Sequence, residues 1–486
     1  MSSDDTDTPR HVGGNVSLRA PSVRLTATAV LGLLLAVHSV SSANAQDATD
    51  PAEEDEEEAL LPEDDVEERQ TPIESFLFTE TSRARARAGG LTSLRSTRLV
   101  PRNVLQNVSR PDSVLRVGDY RLEPSLGVSV SYDDNADASD SERDEEVRGN
   151  ISGSLRAQSQ FERHSLGAEA NVVSIPFGRD GDDEIFDWSA GVDGRLDLTP
   201  RSSLSAALVG TYGTEDSEDP EAVESINATG DEATVAELAG IVTYAQQVRR
   251  LGWALSGGID YIDAEAENDD QDDVVDQRDS TIYSTILDLT YDLSRRLGVF
   301  GEFGYDYAEF SSAGEGGSRD SQTVEGLAGI DYRLSRTLRA RLGVGYSTVF
   351  FDDSQRDTAE NVTADVALDG AINLDNFTVL NLSLEHQTDR TTVEDASLVT
   401  ATTFRSAISR ELDRNSAAEL SFEAGRRDFV DLDRTDYDLS AQLAYSRALT
   451  RSLTLNANYR FSQRYSNDDE DEYYRNIVSV GFLMSF

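Results

Sequence analysis

The chain has four histidines and no cysteine, so thiolate nucleophiles, disulfides and cysteine-ligated metals are excluded. Any acid–base or nucleophilic site must be assembled from His, Asp, Glu, Ser or Tyr. His11 and His38 belong to an N-terminal leader, which leaves His164, in a short polar connection, and His386, at the end of a run set by Leu380, Leu382 and Leu384. A Ser-His-Asp arrangement needs its imidazole in a protected cleft, beside a serine and an orienting acid. Neither histidine sits in such a context. The expectation is therefore no enzyme, no catalytic residue and no cofactor, with His386 as a ring anchored at an interface.

Carboxylates are far more numerous. Asp133 and Asp134, and the group Asp269, Asp270, Asp272 and Asp273, are rich enough in oxygen to attract Ca²⁺ or Mg²⁺ and to bridge such ions to lipopolysaccharide phosphates. None has the spacing or the glycine of an EF-hand loop, and a solvated loop is the competing reading. A second set of charges alternates with apolar residues: Arg121, Arg156, Glu169, Arg195, Glu302, Asp306, Glu325, Arg339, Arg341, Asp365, Asp369, Glu385, Arg405, Glu419, Glu423 and Arg460. Charges in that phase suit the lining of a wet lumen, because the same groups facing lipid are expensive. They would serve equally in a closed network of ion pairs.

The elements that must position these residues are legible from period two. Leu122, Pro124, Leu126, Val128, Val130 and Tyr132 share one face, while Arg121, Glu123, Ser125, Ser129 and Ser131 share the other. The alternation returns in Trp188–Leu198, Trp253–Tyr261, Leu338–Tyr346 and Leu453–Phe461; such a pattern marks strands with one apolar and one polar face.

The connections fall into two classes. Short stretches, Arg-bearing but for Asn373–Asn376, lie at Phe161–Ser165, Thr199–Ser203, Ala245–Arg250, Asp292–Arg296, Arg333–Thr337, Asn373–Asn376, Ser409–Ser416 and Ser446–Ser452. Longer acidic ones lie at Asp133–Glu146, Gly213–Asp231, Asp263–Asp279, Ser311–Ser321 and Ser462–Glu472. Outer-membrane barrels show this asymmetry, with short periplasmic turns and longer external loops. Tyr244, Tyr291, Tyr332 and Tyr445 precede short turns, whereas Tyr132, Tyr212, Tyr261, Tyr307 and Tyr346 lie near the other strand ends, as two interfacial girdles would require. The fold class expected is all-β: a transmembrane antiparallel up-and-down barrel of about 18 strands. A secreted β adhesin or a solenoid is the alternative, although a solenoid would show a fixed period.

The stretch Val117-Gly118-Asp119-Tyr120-Arg121-Leu122-Glu123-Pro124, continuing to Tyr132-Asp133-Asp134-Asn135, resembles the opening strand of the Putative beta-barrel porin 2 family. In that family a glycine, a proline and a terminal Asp-Asn pair mark the first strand and loop. Turns such as Tyr291-Asp292-Leu293-Ser294-Arg295-Arg296 are similar to its recurrent turns. The resemblance spans about Val117 to Phe486. It implies an outer-membrane location and a neighbourhood of surface polysaccharide export, but no agreed substrate. The last strand, with Val478, Val480, Phe482, Met484 and Phe486 on one face, resembles the terminal strand recognised by the barrel-assembly machinery, so Phe482 and Phe486 are the expected assembly signal.

Ahead of the barrel, Arg19 and Arg24 precede an apolar run from Ala27 to Val37, and Ala43-Asn44-Ala45 offers a cleavage site. About 11 apolar residues are too few for a spanning helix, which needs about 20, so residues 1–45 read as a signal peptide. Residues 46–117, with Glu and Asp dominating Glu53–Glu68, read as a poorly ordered periplasmic segment, and residues 118–486 as the barrel. The net charge of -48 argues against nucleic acid as a partner; the partners expected are outer-membrane lipid, lipopolysaccharide and the assembly machinery of a Gram-negative cell. The functional expectation is porin-like passage of small hydrophilic solutes with a preference for cations. The alternative is a non-conducting surface barrel associated with exopolysaccharide export.

Overall fold

The computed structural model describes residues 115–140, 143–177, 185–214, 233–266, 279–311, 318–335, 338–353, 358–373, 377–390, 398–430, 432–468 and 472–486. Period-two alternation folds as read, into β1 (Leu115–Val117), β2 (Tyr120–Asp133), β3 (Glu146–Ser159), β4 (Ser165–Phe177), β5 (Ile185–Thr199), β6 (Ser202–Thr214), β7 (Ala233–Val248), β8 (Leu251–Ala266), β9 (Ser280–Asp292) and β10 (Leu297–Phe310). The series continues with β11 (Ser321–Arg333), β12 (Leu338–Phe351), β13 (Ala359–Asn373), β14 (Thr378–Arg390), β15 (Leu398–Asp413), β16 (Ser416–Val430), β17 (Arg434–Ala448), β18 (Leu453–Ser466) and β19 (Tyr473–Ser485).

From β2 onward each strand pairs antiparallel with its successor, and β19 pairs back onto β2. The ladder is therefore a ring of 18 strands, an even number that brings the C-terminus back to the end at which β2 starts. Closure leaves no row of unpaired backbone groups, which is the condition for placing strands in lipid. With 13 to 16 residues each, these strands exceed the 9–11 or so needed to cross a hydrocarbon core.

β1 lies outside the ring and begins three residues before the boundary read at Gly118. It pairs with the start of β2 from Leu115↔Leu122 to Val117↔Tyr120. Gly118 makes that turn possible: its φ of 61° lies in the left-handed region where a Cβ is costly.

All eight short connections join strands at one end of the ring. The other end carries the five longer ones already noted and four more, at 178–184, 352–358, 391–397 and 431–433. Some turns close on their own side chains: Ser294 Oγ accepts from the Arg296 and Leu297 amides at 3.2 and 3.0 Å, and Thr450 Oγ1 does the same for Ser452 and Leu453. Serine and threonine favour turns by this mechanism.

The two faces of the ladder are inverted relative to a soluble protein. On β2, Leu126, Val128 and Val130 are about half exposed, at 48, 49 and 50%, while Gly127 and Asp133 of the opposite phase are buried. On β19, Val478, Val480, Phe482, Met484 and Phe486 are exposed and Arg475 is buried. Apolar side chains turned outward all round a closed ring are stable when hydrocarbon is the solvent. Tyr132, Tyr212, Tyr261, Tyr291, Tyr332 and Tyr346 are exposed near the strand ends on the same face.

Candidate functional site

The interior face of the ring is polar, and its charges are organised by strand. On the wall formed by β15 to β19, β2 and β3, Arg and carboxylate alternate and meet. Arg405 on β15 faces Glu423 on β16, and the Arg405 Nε lies 3.3 Å from Glu423 Oε2. Asp438 on β17 accepts from two neighbours, Arg427 on β16 at 2.5 Å and Arg464 on β18 at 3.0 Å. Arg434 pairs with the fully buried Asp436 at 2.9 Å, with its guanidinium 4.7 Å from the Phe429 ring. The Arg464 guanidinium stacks over Tyr473 at 5.2 Å.

The series crosses the seam between the first and last strands of the ring. Arg475 of β19 donates to Asp133 Oδ2 of β2 through Nε and NH2, at 2.8 and 2.6 Å. Asp134 accepts from the Asn476 amide and side chain at 2.6 and 2.7 Å. Asn135, fully buried, donates to the carbonyls of Ser139 and Tyr474. Beyond the seam Arg148 pairs with Glu146 at 2.5 Å. At the short-turn end, Arg121 pairs with Glu123 at 2.6 Å, and Arg156 with Glu169 at 3.1 Å. Arg195 pairs with Asp197 on β5 at 2.9 Å.

The wall from β7 to β11 differs. Its interior phase carries Glu237, Asp260, Asp288, Asp292, Glu302, Asp306, Glu325 and Asp331, and Arg333 at the short-turn end is the only base on these strands in that phase among the described residues. The neighbouring β12 supplies Arg339 and Arg341. Arg341 reaches Glu302 at 3.5 Å, both side chains being buried. Its guanidinium rests on the Phe300 ring, 3.5 Å from the centroid. Gly343 permits that stack, since a Cβ there would stand 2.8 Å from the ring edge.

Of the interior residues singled out from sequence, the structure brings together Arg156 with Glu169, Arg405 with Glu423, and Glu302 with Arg341. Glu325 stands opposite Gly304 and Ser347, and Arg460 opposite Gln442 and Ile477. Arg339 is in register with Asp369, and Gly343 with Asp365; the side chains of Asp365 and Asp369 lie outside the described residues, as do Asp269, Asp270, Asp272 and Asp273. Asp133 and Asp134, considered for a cation, are engaged by Arg475 and Asn476. No group of three or more His, Asp or Glu among the described residues is arranged to hold a metal.

Phe482 and Phe486 are exposed on the outer face, and the Phe486 amide donates to the Pro124 carbonyl of β2 at 3.2 Å. His386 faces outward, its Nδ1 2.7 Å from Thr402 Oγ1, and His164 Nδ1 accepts from the Asp197 amide at 3.2 Å. The residues that sequence reasoning left out are Glu146, Arg148, Glu237, Asp260, Asp288, Arg427, Arg434, Asp436, Asp438, Arg464 and Arg475. Their signal was present, since each occupies the polar phase of an alternating run.

A closed antiparallel ring with a lipid-compatible outer face and a charged interior defines a transmembrane β-barrel of the porin type. The family described as Putative beta-barrel porin 2 matches residues 114–486, and the chain belongs to it. No curated protein matches the chain. Among solved structures it is similar to the siderophore receptor PirA from Pseudomonas aeruginosa, at 9% identity over 76% of this chain and 81% of that one, with a TM-score of 0.39. It is also similar to OpdL from Pseudomonas aeruginosa, at 11% identity over 76% and 99%, with a TM-score of 0.36. Likeness at this level leaves the argument with the strand pairing and the family match.

Proposed function

We propose that the protein resides in the outer membrane of a Gram-negative cell and passes small hydrophilic solutes through the barrel, with a preference for cations. The short-turn end faces the periplasm and the long-loop end faces outward, in keeping with barrels of this class. Residues 1–45 act as the export signal. The observation that carries the cation preference is the charge of the β7–β11 wall: among the described residues, eight interior-phase carboxylates against Arg333 alone on these strands. Most arginines elsewhere in the interior are paired with carboxylates, as Arg405, Arg427, Arg434, Arg464 and Arg475 are, so the largest one-signed sector is this wall. Acidic lining raises the local cation concentration and lowers that of anions.

The reversal potential of the purified protein across a salt gradient in a planar bilayer tests this reading. Cation selectivity is expected to be clear near 0.01 M salt, where the Debye length is about 30 Å, and to fade near 1 M, where it is about 3 Å. Anion selectivity at low salt would overturn it. The buried ion pairs from β16 to β3 also suit a second reading, a non-conducting surface barrel associated with exopolysaccharide export; a correctly folded protein that never conducts would favour that one.

A further inference from the structure

One interior carboxylate stands apart from the others. Asp260 is 1% exposed, and neither carboxylate oxygen has a hydrogen-bond partner. By register it lies opposite Ala239 of β7 and Ile282 of β9. Ser280, diagonal to it on β9 and opposite Ile262, is also buried with its hydroxyl unpartnered. The interior phase of β7, β8 and β9 contains no Arg among the described residues, and Glu237, in register with Ile262, adds a second negative charge. A buried carboxylate with no donor is costly in its ionised form unless a cation joins it.

The neighbours select the kind of cation. The described residues offer no cluster of three carboxylates for a metal, whereas Ile262 and Ala264, buried on the same strand face, and Ile282 provide apolar surface. An ammonium group has three N–H donors; the two Asp260 oxygens and Ser280 Oγ are three acceptors. We infer that Asp260, with Ser280 and Glu237, forms a binding site on the interior wall for the primary ammonium group of an alkylamine. The alkyl chain lies against Ile262, Ala264 and Ile282. The site refines the cation preference proposed above and rests on that reading for its role in passage, but not for binding itself.

Calorimetric titration of the full-length protein in detergent with n-butylammonium, and with tetramethylammonium as an equally charged cation lacking N–H donors, tests the site. Saturable binding of butylammonium alone is expected. Asp260→Asn should weaken it at least tenfold and Ser280→Ala several-fold, while Glu123→Gln, on β2 outside this wall and paired with Arg121, should leave it unchanged. Folding of each variant is checked by its migration on unheated gels, and Ser280→Ala alone carries the test if Asp260→Asn does not fold. Equal binding of the two cations, no saturable binding, or full affinity in the Ser280 and Asp260 variants would overturn the assignment. A cation-selective channel that ignores butylammonium defeats the site and spares the function; a barrel that binds butylammonium but does not conduct does the reverse.

Discussion

Replacing Asp133 with Asn should destabilise the barrel far more than replacing Glu123 with Gln, although both remove a carboxylate from an ion pair on β2. The difference lies in solvent. In the Asp133–Arg475 pair the side chains are 6 and 4% exposed, and in the Arg121–Glu123 pair they are 42 and 39% exposed. An exposed pair contributes about 0.2–1 kcal/mol. Removing one member of a buried pair costs about 3–5 kcal/mol, because the surviving charge is stranded. Asp133→Asn keeps an oxygen to accept the Asn135 amide now held at 3.1 Å by Oδ1, so the loss falls on Arg475.

Position adds to the effect. The seam between β19 and β2 has nine residue pairs, against fourteen between β2 and β3, and the contact sits where that ladder ends, at Ile477↔Asp133. A difference of about 3 kcal/mol between the two variants is a change of about two powers of ten in the folding equilibrium. Urea titration in detergent, with the folded fraction read from gel migration without heating, measures it. The double variant Asp133→Asn, Arg475→Met should recover most of the loss, since no buried charge is left unmatched. An Asp133→Asn cost no greater than that of Glu123→Gln, or a double variant as unstable as the single, would refute the reasoning.

Other substitutions probe the two faces and the terminus. Val480, exposed at the middle of β19 and opposite Val130, should cost about 2–4 kcal/mol when changed to Arg; the adjacent interior Ser479→Arg should cost less and reduce cation selectivity, and equal urea midpoints would argue against the inverted faces. Deleting Phe486 removes the bond from its amide to Pro124, worth about 1 kcal/mol, yet should lower surface levels in cells by more than that stability loss accounts for, because the terminal aromatic resembles an assembly signal. Unchanged surface levels would count against that role.

What could be read from the sequence was whatever is local. A strand side chain's face depends only on its parity within the run, so Leu126 and Val128 could be assigned outward and Arg121 inward without knowing any neighbour. The turns were legible for the same reason: Ser294 and Thr450 bond to amides two and three residues ahead. Partnerships across the ladder depend on register, and register is a property of two strands at once. Asp133 and Asp134 read as candidate cation ligands or a solvated loop because the strand partner they take is not in their own loop. Arg475, 342 positions away, becomes a neighbour only when the ring closes.

The same distinction explains why net charge said so little about the interior. The chain's -48 sums charges over both faces, all loops and the N-terminal segment, whereas a solute in the barrel meets only those on the interior phase. There most Arg residues of β15 to β19, β2 and β3 stand beside carboxylates on the same or an adjacent strand, so their fields largely cancel over a few ångströms. On β7 to β10 the interior carboxylates face Ala, Ile, Ser or Thr on adjacent strands more often than they face a base, as Asp260 does between Ala239 and Ile282. A field that survives to the middle of a wide barrel must come from such a one-signed sector. On the proposed reading, selectivity depends on where along the ring the interior arginines thin out, between β12, with Arg339 and Arg341, and β11, with Arg333 at the short-turn end, and moving one Arg across that boundary should alter it more than changing the total charge of the loops.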